Sequence, residues 1–219
     1  DWSESRGLGD VYKRQNPDNP MGTFITKAEF DEFYSYVPSR ALIILDEAYF
    51  EFAKDIQEYP DSMHYRYNNV ITLRSFSKAY GLGGLRIGYG FAHHDLISNL
   101  MKVKVPFEPS LPAQAAGCAA LEDLDFLKKT LELNKNSIQY LQNEFKELGV
   151  LFVPSATNFI TTIWNSESEA EQIVSELLNA GIIVRHLKSF GWPNYIRISA
   201  GLKRENERLI DQLKVILWK

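Results

Sequence analysis

The sequence predicts an α/β fold, in which part of a large domain built on a mostly parallel sheet is followed by a smaller α+β carboxy-terminal domain. Three observations carry this. Short, continuous apolar runs recur at residues 41–45, 70–73 and 85–91, the pattern of strands buried on both faces. Segments of helical periodicity alternate with these runs, as in parallel sheets. A long amphipathic stretch over 127–148 then precedes a change of plan to short strands and two further helices.

Taken in order, residues 1–15 show neither clean periodicity nor turn logic, and Asn16 opens a sharp motif with no strand before it. The segment GLGDVYKRQ resembles a translated sequencing-adapter junction, so 1–15 is read as foreign or disordered and excluded from the fold. On this reading the chain begins in mid-fold. Thr26 and Glu29 have the spacing of a capping box, followed by Phe30, Phe33, Tyr34 and Val37 at helical intervals, with Pro38 beyond the end. The apolar run 41–45 is a strand ending at Asp46; 70–73 and 85–91 are two more. Leu127, Leu131, Ile138, Leu141, Phe145 and Leu148 line one face of a helix stopped by Gly149. A strand at 159–164 follows. Ser166 with Glu169 caps a helix through Leu178, ending near Gly181, and strands are expected at 182–184 and 195–199. Leu209, Ile210, Leu213, Ile216 and Leu217 define the last helix. The large domain is thus assigned to 16–124, and the linking helix with the small domain to 125–219.

Composition narrows the function. Of 219 residues, 45% are hydrophobic and 24% charged, ordinary for a protein with a real core. A net charge of −4 lacks the basic surplus of a nucleic-acid binder and points to a small-molecule partner. No apolar run approaches the roughly 18 residues of a membrane span, and no secretory signal is visible. Cys118 is the single cysteine, which excludes an intrachain disulfide and suits a reducing cytoplasm; its setting, AQAAGCAAL, reads as a packed helix face.

Four stretches carry chemistry. In Asn-Pro-Asp-Asn-Pro-Met-Gly-Thr (16–23) the prolines and glycine make a rigid turn, from which Asn19 can offer its amide to a ligand. Asp46, in Leu-Asp-Glu-Ala-Tyr (45–49), stands at the carboxyl end of a buried strand, where open α/β sheets place their ligand crevice. A carboxylate there can pair with a protonated ring nitrogen, and Tyr49 can reach a phenolic oxygen. In Arg-Ser-Phe-Ser-Lys-Ala-Tyr-Gly-Leu-Gly-Gly-Leu-Arg-Ile-Gly (74–88), Lys78 follows a strand directly and can condense with a carbonyl cofactor. Ser75, Ser77 and Arg86 supply hydroxyls and a guanidinium suited to a phosphate, and the glycines permit a close backbone. Arg197, in Tyr-Ile-Arg-Ile-Ser (195–199), is fixed on a strand and suited to a carboxylate or phosphate, with Arg185 as a second cation. Each stretch alone would read as a turn, a cap or a surface charge.

Their joint order resembles the fold-type-I pyridoxal-phosphate aminotransferases, over residues 16–219. Asp-Glu-Ala-Tyr-x-Glu-Phe (46–52), the Pro-Phe and Ala-Gln-Ala-Ala elements of 106–116, and Asn206-Glu-Arg look most like histidinol-phosphate aminotransferase. The resemblance implies a pyridoxal-phosphate transferase fold, with Lys78 holding the cofactor and shuttling a proton. It implies Asp46 against the ring nitrogen, Tyr49 and Asn19 at the ring oxygen, and Ser75, Ser77 and Arg86 at the phosphate. Arg197, helped by Arg185, would take the anionic end of the substrate, and Asn158 would sit nearby. The implied partners are an amino donor, a 2-oxo acid such as 2-oxoglutarate, and a second copy of the chain in a homodimer. Met21 departs from the family, which often has threonine there. The family's upstream phosphate-binding loop, ring-stacking aromatic and dimer arm have no counterpart in this chain, so it is not expected to be a competent enzyme alone. Other readings remain at this stage: an aromatic aminotransferase, a threonine-phosphate decarboxylase, a regulator's sensor domain, or an inert fragment.

Overall fold

The computed structural model describes residues 11–65 and 67–218. They divide into two compact units: one runs up to Asp18 and from Phe24 to Thr130, the other comprises Asn19–Thr23 and everything from Leu131 onward.

In the first unit the elements are β1 (Val11–Gln15), α1 (Lys27–Tyr36), β2 (Leu42–Asp46), the single turn α2 (Phe50–Ala53), β3 (Val70–Ser75), β4 (Gly88–Ala92), α3 (His94–Val103), α4 (Leu111–Glu122) and the start of α5 (Leu124–Glu147). The sheet order is β1-β2-β3-β4. The first three strands are parallel and β4 is antiparallel to β3. The capping box of α1 forms as its spacing predicts: Thr26 N–H donates to Glu29 Oε2 at 2.7 Å, and Glu29 N–H donates to Thr26 Oγ at 3.2 Å. Phe30 is thereby aimed inward to pack with Ile43, Leu45 and Val70.

Several expectations for this unit need correction. A strand does precede Asn16: β1 runs parallel to β2 from Val11↔Leu42 to Gln15↔Asp46, although 1–15 had been set outside the fold. Ladder pairing needs only backbone, which the side-chain pattern does not report; residues 1–10 lie outside the described residues. The third strand begins at Gly88 rather than Leu85, because Gly83–Leu85 forms a 3-10 turn and Arg86 takes a left-handed conformation (φ 52, ψ 49) that no strand continues. Cys118 is exposed, not packed. The inward positions of α4 are Ala113 and Gly117, one helical repeat apart, and a Cβ on Gly117 would come within 3.0 Å of Ile87.

The second unit contains the remainder of α5, then β5 (Leu151–Val153), β6 (Phe159–Ile163), α6 (Glu167–Asn179), β7 (Arg185–His186), β8 (Tyr195–Ser199) and α7 (Lys203–Leu217). Its antiparallel sheet has the order β5-β6-β8-β7. Leu141 and Phe145 of α5, Ile173 and Leu177 of α6, and Ile210 and Leu213 of α7 close over Ile160 and Ile196 of the sheet in one core. No strand forms at 182–184. Ile182 N–H is taken by the Leu177 carbonyl at 2.8 Å in the helix cap, where Gly181 adopts φ +74, and Ile183 is left exposed. The boundary between units falls after Thr130, within α5, instead of at 124, and Asn19–Thr23 belongs to the second unit. Hydrogen bonds hold it there, from Thr161 Oγ to the Pro20 carbonyl at 2.6 Å and from Ala156 N–H to the Gly22 carbonyl at 2.8 Å.

Candidate active site

Six of the proposed site residues lie in the first unit, at the carboxyl ends of β2 and β3. Parallel pairing sets Asp46 opposite Leu73, and the Glu47 N–H continues the ladder to the Leu73 carbonyl at 2.8 Å. The Asp46 side chain is 22% exposed and pairs with Lys13 of β1 at 3.3 Å. Lys13 is itself 63% exposed, so the pair stands in solvent and contributes about 0–1 kcal/mol. After β3 the chain folds back tightly. Ser75 Oγ accepts from Ser77 N–H at 3.0 Å, and Leu82 N–H donates to the Phe76 carbonyl at 2.9 Å. Lys78, at the crest, is exposed, and its Nζ lies 5.3 Å from the ring centre of the buried Tyr49. Arg86 Nη1 turns back to the Gly83 carbonyl at 3.0 Å and to Ser77 Oγ at 3.4 Å. A side chain at Gly83 would press on the Ser77 carbonyl at 3.3 Å.

Pyridoxal phosphate needs an amine for its aldehyde, a carboxylate for its ring nitrogen, and a cation with hydroxyls for its phosphate. Lys78, Asp46, and Arg86 with Ser75 and Ser77 provide this donor set. The left-handed backbone at Arg86, costly for a residue with a side chain, is the kind of strain that clusters at ligand sites. Among the described residues no group of three His, Cys, Asp or Glu side chains could hold a metal ion.

Sequence reasoning missed the charged cluster behind these strand ends. Glu47 is 1% exposed and Arg74 is 9% exposed. Arg74 Nε and Nη2 each lie 3.0 Å from Glu47 Oε2, and Nη2 also reaches Asp61 Oδ1 at 2.9 Å. Its guanidinium carbon sits 3.3 Å over the Phe50 ring. Burial pushes the Glu47 carboxyl up to about 7, opposed by Arg74, and burial also raises Glu51. Burial pulls Arg74 down, but Glu47, Tyr89 and Asp61 together more than offset this and leave it raised. The available signal was a charge inside an apolar strand, which requires a buried partner.

The other four proposed residues lie in the second unit. Arg197 on β8 stands directly opposite Arg185 on β7. Arg197 Nη1 donates to Asn19 Oδ1, its guanidinium carbon lies 5.0 Å from the Phe159 ring centre, and its buried Nε has no hydrogen-bond partner. Arg185 is exposed, 5.8 Å from the Phe190 ring centre, with Nη2 3.4 Å from Ser189 Oγ. Asn158 is half-buried just before β6, its carbonyl accepting from Ala200 N–H at 2.9 Å. Thus Asn19, Arg185 and Arg197 come together, while Asn158 is placed beside the far end of β8.

Comparison with known proteins identifies the family. The profile of the aminotransferase class I and II family matches residues 14–213. Histidinol-phosphate aminotransferase 2 of Carboxydothermus hydrogenoformans is 40% identical over 204 residues, covering 92% of this chain and 56% of the relative, so the chain spans little more than half that protein's length. The crystal structure of histidinol-phosphate aminotransferase from Sinorhizobium meliloti in complex with pyridoxal-5'-phosphate superposes with a TM-score of 0.87 at 33% identity, over 95% of this chain and 57% of that one. L-threonine-O-3-phosphate decarboxylase from Porphyromonas gingivalis, at 24% identity and a TM-score of 0.79 over 95% of this chain and 65% of that one, shares the fold. The chain therefore belongs to the class I and II aminotransferases, a family whose cofactor is pyridoxal 5'-phosphate.

Proposed function

We propose that this chain is the cofactor-handling part of a pyridoxal-phosphate-dependent histidinol-phosphate aminotransferase, serving histidine biosynthesis with 2-oxoglutarate as amino acceptor. The observation that carries the substrate is the register of Arg185 against Arg197. Like charges facing each other across neighbouring strands destabilise a sheet, and the buried Nε of Arg197 is left without a partner. A dianionic phosphate relieves both, accepting charge-assisted bonds worth roughly 1.5–3 kcal/mol each. A plain amino acid offers no such group there.

The bound cofactor supplies an electron sink for the substrate's carbanion. This chain's residues do the rest. The Asp46 carboxylate would keep a proton on the ring nitrogen, Tyr49 would hydrogen-bond the ring oxygen, and Ser75, Ser77 and Arg86 would grip the phosphate. The Lys78 amine, exposed at its crest, would take the proton from the substrate carbon and deliver it to the cofactor's C4′ carbon. Asn158 contacts the substrate whose phosphate Arg197 and Arg185 hold. The working form is a cytoplasmic homodimer. Among the described residues no helix is long and apolar enough to cross a membrane.

A second reading, decarboxylation of threonine phosphate, draws on the same arginine pair. Kinetics of the complete enzyme on histidinol phosphate, phenylalanine, tyrosine and threonine phosphate separates the two. The expected result is a preference for histidinol phosphate. Arg197→Ala should lower its kcat/KM by about 10–100-fold, one charge-assisted contact, and lower that for phenylalanine less. Preference for the aromatic amino acids would overturn the substrate, and carbon dioxide released from threonine phosphate would overturn the reaction.

A further inference from the structure

The Glu47–Arg74 pair lies one residue from the cofactor groups on both strands. Glu47 follows Asp46, and Arg74 precedes Ser75. Side chains alternate along a strand, so Arg74 and Ser75 leave β3 on opposite faces. The pair thus braces the two strand ends from behind the groups assigned to the ring nitrogen and the phosphate. The brace is tight. Both Arg74 nitrogens converge on one Glu47 oxygen at 3.0 Å, Asp61 takes the other edge of the fork at 2.9 Å, and Phe50 stacks on the guanidinium at 3.3 Å.

Stability does not account for such an arrangement. Removing two charges from water costs several kcal/mol per ion, and apolar replacements of similar volume are often neutral or stabilising. What a charge-assisted hydrogen bond provides that an apolar contact does not is direction. Sliding β3 against β2, or rotating either strand end, lengthens the Nε hydrogen bond and the Nη2 contact to Glu47 together. An apolar contact tolerates such shifts.

We propose that Glu47 and Arg74 are positioning residues, a buried charge-assisted contact that locks the ends of β2 and β3 so that Asp46, Ser75 and, through the following turn, Lys78 keep a fixed spacing for pyridoxal phosphate. The inference rests on the reading that those three residues hold the cofactor. Neither member of the pair touches the cofactor. Their effect is on the geometry of the groups that do.

The test uses the 219-residue chain and three measurements: affinity for pyridoxal phosphate from its visible absorbance, the pH midpoint of that absorbance, and the thermal unfolding midpoint. The double variant Glu47→Leu/Arg74→Met should unfold at or above the parent's temperature, bind the cofactor at least ten-fold more weakly, and shift the absorbance midpoint. Arg74→Lys, which keeps the charge but not the fork, should weaken binding several-fold with the fold intact, a second arm that holds if the double variant does not fold. A double variant with the parent's affinity and absorbance midpoint overturns the proposal, as does an Arg74→Lys variant indistinguishable from the parent. If affinity falls only in step with the unfolding temperature, the pair is structural and the proposal also fails. A parent chain that forms no adduct at Lys78 overturns the cofactor reading itself, and the positioning role with it.

Discussion

Burial sets the Glu47 carboxyl near 7, against an ordinary value of 4.5. In the unfolded chain the group loses its proton near the ordinary value, whereas in the folded chain it keeps the proton until about 7. Between those two values the folded state binds more protons, so this residue makes stability fall as the pH rises through that window. Glu47→Gln removes the titration. Thermal unfolding across that range should show the parent losing stability with rising pH relative to the variant, and parallel curves would contradict the assignment. The cluster also shows what single residues conceal. Lys78, Asp46 and Arg86 could be proposed because each has a characteristic place in a short motif. Glu47 and Arg74 stand inside the same motifs, but their roles depend on a contact across 27 positions, which exists only once β2 and β3 lie parallel. Arg197 is similar: its motif was readable, its register opposite Arg185 was not.

At the scale of elements, local signals were the readable ones. The capping box of α1, the Ser166 cap of α6, the apolar face of α5 and the strands β2, β3, β6 and β8 all follow from neighbours in sequence. What escaped was decided by distant partners or by backbone alone: β1 gains its order from the edge of β2, and the apolar run at 182–184 is partly consumed by a helix cap. The Asn-Pro turn was read as rigid, and the structure shows how one residue makes it so. Gly22 adopts φ +82, and a Cβ there would lie 2.3 Å from Ser155 Oγ and 2.9 Å from Ser155 Cβ. Gly149 has a similar φ of +70 with nothing within 4 Å. Gly149→Ala should therefore cost about 1–2 kcal/mol from backbone conformation alone, and Gly22→Ala should cost clearly more, because Ser155 must also move. Urea unfolding of the two variants measures the difference, and equal losses would show that the turn does not press on Ser155.

For the whole molecule, the alternation of apolar runs with helices was enough to anticipate a mostly parallel sheet followed by a smaller α+β unit, and the observed sheets have those characters. The position of the division was not legible, since Asn19–Thr23 joins the second unit through hydrogen bonds to residues some 140 positions away in sequence. The candidate residues fall accordingly into two groups: the cofactor set on the strand ends of the first unit, and the arginine pair with Asn19 in the second. The account rests on the first group, and within it on one amine. Incubating the chain with pyridoxal phosphate, reducing with borohydride and mapping the labelled peptides tests it most directly. The expected result is a single label on Lys78, lost in Lys78→Ala; a label on another lysine with Lys78 unmodified would contradict the account.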